Sequence, residues 1–221
     1  MIVKALSGRC GKYPVYIVGG ATIRKSVTLQ EALKGSANCM ADFLDYGIHD
    51  TLRVHGGFEQ VPKGEIWVAT ELDEDERRVV VAIAAHRLKG LANGMSSEKA
   101  YEESEKFAKD VRRKVFGIVH KLDVYGMLYK RMQDVNAFIV SGKQTRNACS
   151  NRFIQGGHGY VYDYVPKDEI WIDDTLDEDE YEGVFTHEYT EMKLMRDKNM
   201  SYEKAHELAT IEEYKVRGKN A

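Results

Sequence analysis

The feature that most limits how this chain can fold is a stretch that occurs twice. Val61–Glu76 (VPKGEIWVATELDEDE) and Val165–Glu180 (VPKDEIWIDDTLDEDE) align without gaps and share about 11 of 16 residues, too many for chance and the mark of an internal repeat. Both tryptophans and two of the three prolines sit at equivalent places. Upstream, Tyr16-Ile-Val-Gly-Gly with Arg24 parallels Phe138-Ile-Val-Ser-Gly with Arg146, and His55-Gly-Gly-Phe58 parallels Gln155-Gly-Gly-His158. Downstream, Asn93–Ala100 parallels Lys198–Ala205 through a shared Met-Ser-x-Glu-Lys-Ala. The sequence therefore reads as two tandem copies of one unit, residues 1–115 and 116–221, the first with a longer insert between Arg24 and His55.

Each copy reads as an α+β unit, a small β-sheet backed by a helical hairpin, and the two copies are expected to pack about a pseudo-twofold axis. Apolar runs at Tyr13–Val18 and Ala137–Val140 predict an opening strand. A Gly-rich turn and one or two further strands follow, the Tyr160–Val165 stretch with its alternating Tyr160, Tyr162 and Tyr164 among them. The Trp strand comes next, at Glu65–Thr70 and Glu169–Asp173. The DEDE runs place acidic residues where the positive end of a helix favours them, and they lack the spacing of a calcium loop. Helix one is predicted over 73–92 and 177–198, helix two over 96–115 and 201–217. Ile118–Asp134 reads as a short strand or loop followed by a helix. Arg24 and Arg146, present in both copies, read as structural and suited to pair with a carboxylate across the sheet.

Composition narrows the function classes. A net charge of −3 over 221 residues argues against nucleic-acid binding through an overall basic field. No apolar run approaches the length of a membrane helix, so no membrane partner is expected. Three widely spaced cysteines form no disulfide framework or thiolate zinc site, which suggests a cytoplasmic, intracellular setting.

The two copies agree in framework and differ in chemistry. His187, Glu188 and Glu191 form an H-E-x-x-E run in helix one of the second copy, with His187 and Glu191 on one face. His206 and Glu213 share a face of helix two, seven residues apart. Counting from the shared segments, the first copy has Ile83, Ala84 and Arg87 opposite the first three, Tyr101 opposite His206, and Ala108 or Lys109 opposite Glu213. The whole candidate ligand set is absent together, as expected of residues that act as a unit.

Two ligands on one helix and a third on a neighbouring element suit a divalent metal, most simply zinc, with a fourth position open. The set is His187, Glu191 and His206, with Glu188 placed to act as general base on water. His158, in Gly156-Gly157-His158-Gly159, and Glu213 are candidates for a further ligand or a substrate contact. Asp173 and Asp174, at the end of the Trp strand, are candidates to support a ligand histidine from behind, or simply to precede the helix cap at Thr175.

His187-Glu188-x-x-Glu191 resembles the H-E-x-x-H helix of zinc metallopeptidases, with Glu191 in place of the second histidine. That resemblance implies His187 and Glu191 as ligands, Glu188 as base, and a peptide or protein substrate. It covers one helix. The whole unit also resembles phage and environmental proteins of unknown activity, which implies no chemistry. Two other readings stay open: a non-catalytic binding module with a structural metal or polar cluster, and a dinuclear carboxylate centre that adds Glu207 and Glu213 but lacks the Glu-x-x-His pairs of di-iron bundles.

Overall fold

A computed structural model describes residues 4–36, 47–49, 62, 64–117 and 123–218. The chain forms two compact units. One comprises Met1–Val27 and Asp42–His120, the other Thr28–Ala41 and Lys121–Ala221. The chain leaves the first unit at His120, and residues 28–41 of the first copy's insert belong to the second unit. No helix among the described residues is long and apolar enough to cross a membrane.

The first unit contains strands β1 (Lys4–Cys10), β2 (Tyr13–Val18), β3 (Gly47–His49) and β4 (Ile66–Ala69), with helices α1 (Gly20–Ser26), α3 (Glu74–Ala92) and α4 (Ser97–Phe116). Helix α2 (Leu29–Ser36) lies between α1 and β3 in sequence. The second unit contains β5 (Tyr125–Arg131), β6 (Asn136–Val140), β7 (Gly156–His158) and β8 (Glu169–Asp173), with α5 (Gly142–Ala148), α6 (Tyr181–Lys198) and α7 (Tyr202–Val216). Helix α2 packs against α7 and completes this unit. The class is α+β.

The two sheets have the same strand order, β1-β2-β4-β3 and β5-β6-β8-β7. The central pair is parallel in each, with Tyr16 opposite Trp67 and Phe138 opposite Trp171. Each Trp indole N–H donates to the glutamate two residues earlier, Glu65 or Glu169, at 2.7 Å in both units. In the second unit the side chains of β6 and β8 alternate between two cores, as a pleated strand requires. Ala137, Ile139, Ile170 and Ile172 join Val184, Phe185 and Met192 of α6, whereas Val140 and Trp171 join Phe153 and Val165. Asp73 caps α3 by accepting from the Glu76 amide, and Asp177 with Glu180 forms a capping box over the 3₁₀ turn that leads into α6. The DEDE runs are helix starts, as their charge predicts.

Several elements depart from the sequence expectation. Residues 125–131 form strand β5, not a helix, and its counterpart β1 precedes the strand that sequence placed first. Both are outer strands with exposed apolar residues, Leu6, Met127 and Leu128 among them, so neither carries the inward-facing alternation that marks a strand in sequence. The Gly-rich turn opens a short helix, α1 or α5. The GGH segment is itself strand β7, and Tyr160–Val165 is a series of turns in which the amides of Val161 and Tyr162 donate to the His158 carbonyl. His55–Phe58 lies outside the described residues. The strand paired with β4 is Gly47–His49, which puts His49 at the register position that His158 holds against β8.

An ion pair, partly buried in the first unit and fully buried in the second, anchors each short helix to the end of the Trp strand, as expected for Arg24 and Arg146. Arg24 meets Glu71 at 3.4 Å, and Glu71 also accepts from the Gly20 and Ala21 amides. Arg146 pairs with Asp173, both fully buried, while Asp174 accepts from the Gly142 amide. Breaking a buried pair leaves a charge without compensation. Arg146→Met should therefore destabilise the protein by about 3–5 kcal/mol, read as a lowered urea midpoint. Lys130→Ala, which breaks the exposed Lys130–Glu182 pair, should change stability by less than about 1 kcal/mol.

Candidate metal centre in the second unit

The α6–α7 hairpin builds the site. Helix periodicity places His187 and Glu191 one turn apart, with Nε2 and Oε2 at 3.6 Å. His206 and Glu213 are separated by about 10.5 Å of helical rise along α7, and they take the His187 ring between them. The His187 Nδ1 lies 2.9 Å from Glu213 Oε2, and its Nε2 lies 3.0 Å from His206 Nδ1. His206 Nδ1 is also 2.8 Å from Glu191 Oε2. His187 and Glu191 are buried and His206 is partly so.

Three donor atoms, His187 Nε2, His206 Nδ1 and Glu191 Oε2, thus form a triangle with edges of 2.8, 3.0 and 3.6 Å. Ligands about 2.0–2.1 Å from a tetrahedral zinc stand ~3.3 Å from one another, close to these edges. The orientation of His187 fits as well. Its Nδ1 faces a carboxylate, so a neutral ring would keep its proton there and turn the Nε2 lone pair toward the triangle. The residues therefore fit a divalent cation. Without one, protons on the imidazoles fill the same contacts among His187, His206 and Glu191, so the same geometry is satisfied either way.

Charge is balanced along a continuous chain. Glu213 Oε1 lies 2.8 Å from Arg217 Nε, and Arg217 in turn is 3.7 Å from the buried Glu180. Gly183 makes room for this arginine, since a Cβ there would stand 2.8 Å from Arg217 Nε. Burial raises the Glu213 carboxyl, but the hydrogen bond with His187 and the charges of His187 and Arg217 bring it below its ordinary value. Burial likewise opposes charge on Glu191 and His187. Hydrogen bonds from His158, His187 and His206 nevertheless hold Glu191 well below the usual carboxylate range. Contacts with Glu191 and Glu213 hold His187 well above the usual imidazole value. Glu188 behaves differently. Among the described residues its carboxylate makes no hydrogen bond or ion pair, and burial, reinforced by the charge of Glu191, raises it to about 7.

The expected site residues are thus brought together, though not all in the expected roles. Glu213 stands behind His187, the position sequence offered to Asp173 and Asp174. Asp173 instead holds Arg146 and accepts from the Thr175 amide and hydroxyl, and Asp174 caps α5. His158 is fully buried, 3.0 Å from the second oxygen of Glu191. A second group of possible ligands, His158, Glu188 and Glu191, overlaps the first through Glu191. Glu207 is exposed and stands apart. Sequence reasoning did not single out Arg217 and Gly183. The signal was available in the repeat: Glu180 and Arg217 align with Glu76 and Arg112, which form a buried ion pair at 3.2 Å in the first unit.

In the first unit the hairpin at the corresponding sequence positions lacks these side chains. Ile83 and Ala108, opposite His187 and Glu213, belong to one apolar cluster with Val79 and Phe107. Arg87 and Tyr101, opposite Glu191 and His206, stack as cation and ring at 4.5 Å. His86, out of register with the ligands, stacks on Phe107.

Replacing a buried polar pair by a packed apolar pair is often neutral or stabilising, whereas removing one partner strands the other. Glu213→Ala alone should lower stability by about 1–3 kcal/mol in chelator. His187→Ile/Glu213→Ala, which installs the first unit's pair, should lose less than the two single substitutions added together, because His187 and Glu213 compensate each other. Chemical denaturation of the parent, the two single variants and the double variant checks both. In comparisons with known protein families, curated proteins and solved structures, this chain matches none of them, so the chemistry of the hairpin itself is the basis for a functional reading.

Proposed function

We propose that the protein is a metal-dependent hydrolase, in which a duplicated α+β unit keeps one working copy, the C-terminal one. His187, His206 and Glu191 hold a single divalent cation, most simply zinc, and Glu188 is the general base. The observation that carries this reading is the convergence of His187 Nε2, His206 Nδ1 and Glu191 Oε2 within 2.8–3.6 Å of one another. The far nitrogen of His187 bound to Glu213 adds to it. A bound cation supplies Lewis acidity, polarising a carbonyl and making water a competent nucleophile near neutral pH. Glu188 adjoins the first ligand and is not engaged by neighbouring side chains, so it can take a proton from the attacking water and pass it to the leaving group. Peptide-bond hydrolysis is the substrate class suggested by the resemblance to zinc metallopeptidases, and that part is analogy.

The alternative is a non-catalytic binding module with a structural metal. Structural zinc sites are closed by a fourth protein ligand. The two nearest candidates are engaged elsewhere, Glu213 behind His187 and His158 on the far oxygen of Glu191, which supports an open site. Two histidines and one carboxylate also suit ferrous iron, so the metal must be identified by measurement.

Elemental mass spectrometry of untagged protein should find about one metal ion per chain, lost in His187→Ala/His206→Ala. Glu188→Gln should keep the metal and lower hydrolysis of a fluorogenic peptide mixture by about 10²–10⁴-fold. A chain that carries no metal after incubation with zinc or ferrous iron would sink the reading. So would a Glu188→Gln protein as active as the parent.

A further inference from the structure

The second possible ligand group, His158, Glu188 and Glu191, raises the question whether the site holds two cations bridged by Glu191. The hydrogen bonds around His158 answer it. His158 lies at the end of β7 and is fully buried. The backbone N–H of Tyr160 donates to its Nδ1 at 3.2 Å. A nitrogen that accepts a hydrogen bond carries no proton, so the ring's proton is on Nε2. That Nε2 lies 3.0 Å from Glu191 Oε1. For Nε2 to bind a cation in a neutral ring, the proton would have to move to Nδ1, where it would meet the Tyr160 N–H.

We infer that His158 is a positioning residue: its Nε2–H occupies Glu191 Oε1, restricts Glu191 to a one-oxygen ligand through Oε2, and keeps the centre mononuclear. This rests on the ligand set proposed above. It also gives Glu188 its place. With the His158 lone pair turned away, Glu188 has no second cation to bind and remains the carboxylate free to exchange a proton. The glycines around His158 serve the same end. A Cβ on Gly156 would stand 2.8 Å from Val184 Cγ1, 3.0 Å from the Trp171 carbonyl and 3.1 Å from Glu188 Cγ. A Cβ on Gly159 would stand 2.5 Å from two carbonyl oxygens. Gly156 thus lets β7 lie close enough to α6 for His158 to reach Glu191, and Gly159 lets the turn that follows pass against the backbone of Val165 and Pro166.

The experiment uses the full chain, cobalt(II) as probe, and the variants His158→Leu and His158→Gln. Wild type and His158→Leu should each bind one cobalt per chain with the same type of visible spectrum, since the ligand atoms are unchanged. His158→Leu should bind about 10–100-fold more weakly, and His158→Gln, which keeps an N–H donor, should recover most of that loss. Two cobalt ions per chain in the wild type, reduced to one in His158→Leu, would overturn the inference and make His158 a ligand. Unchanged affinity in His158→Leu would overturn it as well. Nitrogen-15 NMR of the metal-free protein provides a readout independent of metal binding: Nε2 protonated and Nδ1 bare is expected, and the reverse overturns the assignment. If no cobalt binds to the wild type but the Nε2–H form is seen, the proposed metal function falls while the His158–Glu191 contact stands.

Discussion

A carboxylate taken out of water must be given counter-charge or hydrogen-bond donors, and Glu191 is the place in this protein where that demand is greatest. It is almost fully buried between α6, α7 and β7, where an unpaired carboxylate would be costly. Three histidines from three elements meet it: His158 from β7, His187 from its own helix and His206 from α7. The contacts with His158 and His206 join Glu191 to β7 and to α7, so the position of the hairpin relative to the edge of the sheet depends on them. The requirement propagates outward. His187, drawn toward Glu191 by one nitrogen, needs an acceptor for the other and finds Glu213. Glu213 needs a cation and finds Arg217, which also reaches Glu180 at the mouth of α6.

The first unit separates what the scaffold needs from what this network adds. It keeps the sheet order, the Trp–Glu bond, the short-helix ion pair and the buried Glu–Arg pair at the hairpin. Those features suffice to hold a hairpin on a sheet. In the hairpin interior it has apolar Ile83 and Ala108 where the second unit has His187 and Glu213. A well-packed apolar contact gives stability without the desolvation that an ionic one incurs. The polar interior of the second unit is therefore more than a hairpin needs to stay on its sheet.

The hairpins were legible in sequence because their signals are local: acidic first turns, a capping aspartate, periodic apolar residues and a shared Met-Ser start. Helix α3 begins at Glu74 and ends at Ala92, against an expected 73–92, and α7 spans Tyr202–Val216 against 201–217. The proximity of His187 and Glu191 was legible because i,i+4 spacing on a helix converts directly into proximity. What sequence could not supply was anything decided by contacts distant in the chain. Strands β1 and β5 are outer strands with exposed apolar residues, so pairing rather than pattern defines them. Helices α1 and α5 begin at glycine and are fixed by carboxylates 51 and 32 residues away. The roles of Glu213 and His158 depend on which ring nitrogen faces which oxygen, and no spacing rule carries that information.

The same reasoning explains why the GGH segment is a strand when its composition suggests a turn. Glycine disfavours a strand because it loses more backbone freedom than other residues and contributes no side chain to packing. Here the pairing of Gly157 with Trp171 and the close approach of Gly156 to α6 override that preference. A bulkier strand would stand farther from the helix and withdraw the His158 ring from Glu191. Glu191 would then have one fewer donor in a site that its own helix makes too dry to hold a bare carboxylate. The glycines, the histidine and the buried glutamate are thus one constraint expressed at three places in the sequence: the backbone is thinned so that a single N–H can reach the far oxygen of the carboxylate that the rest of the network surrounds.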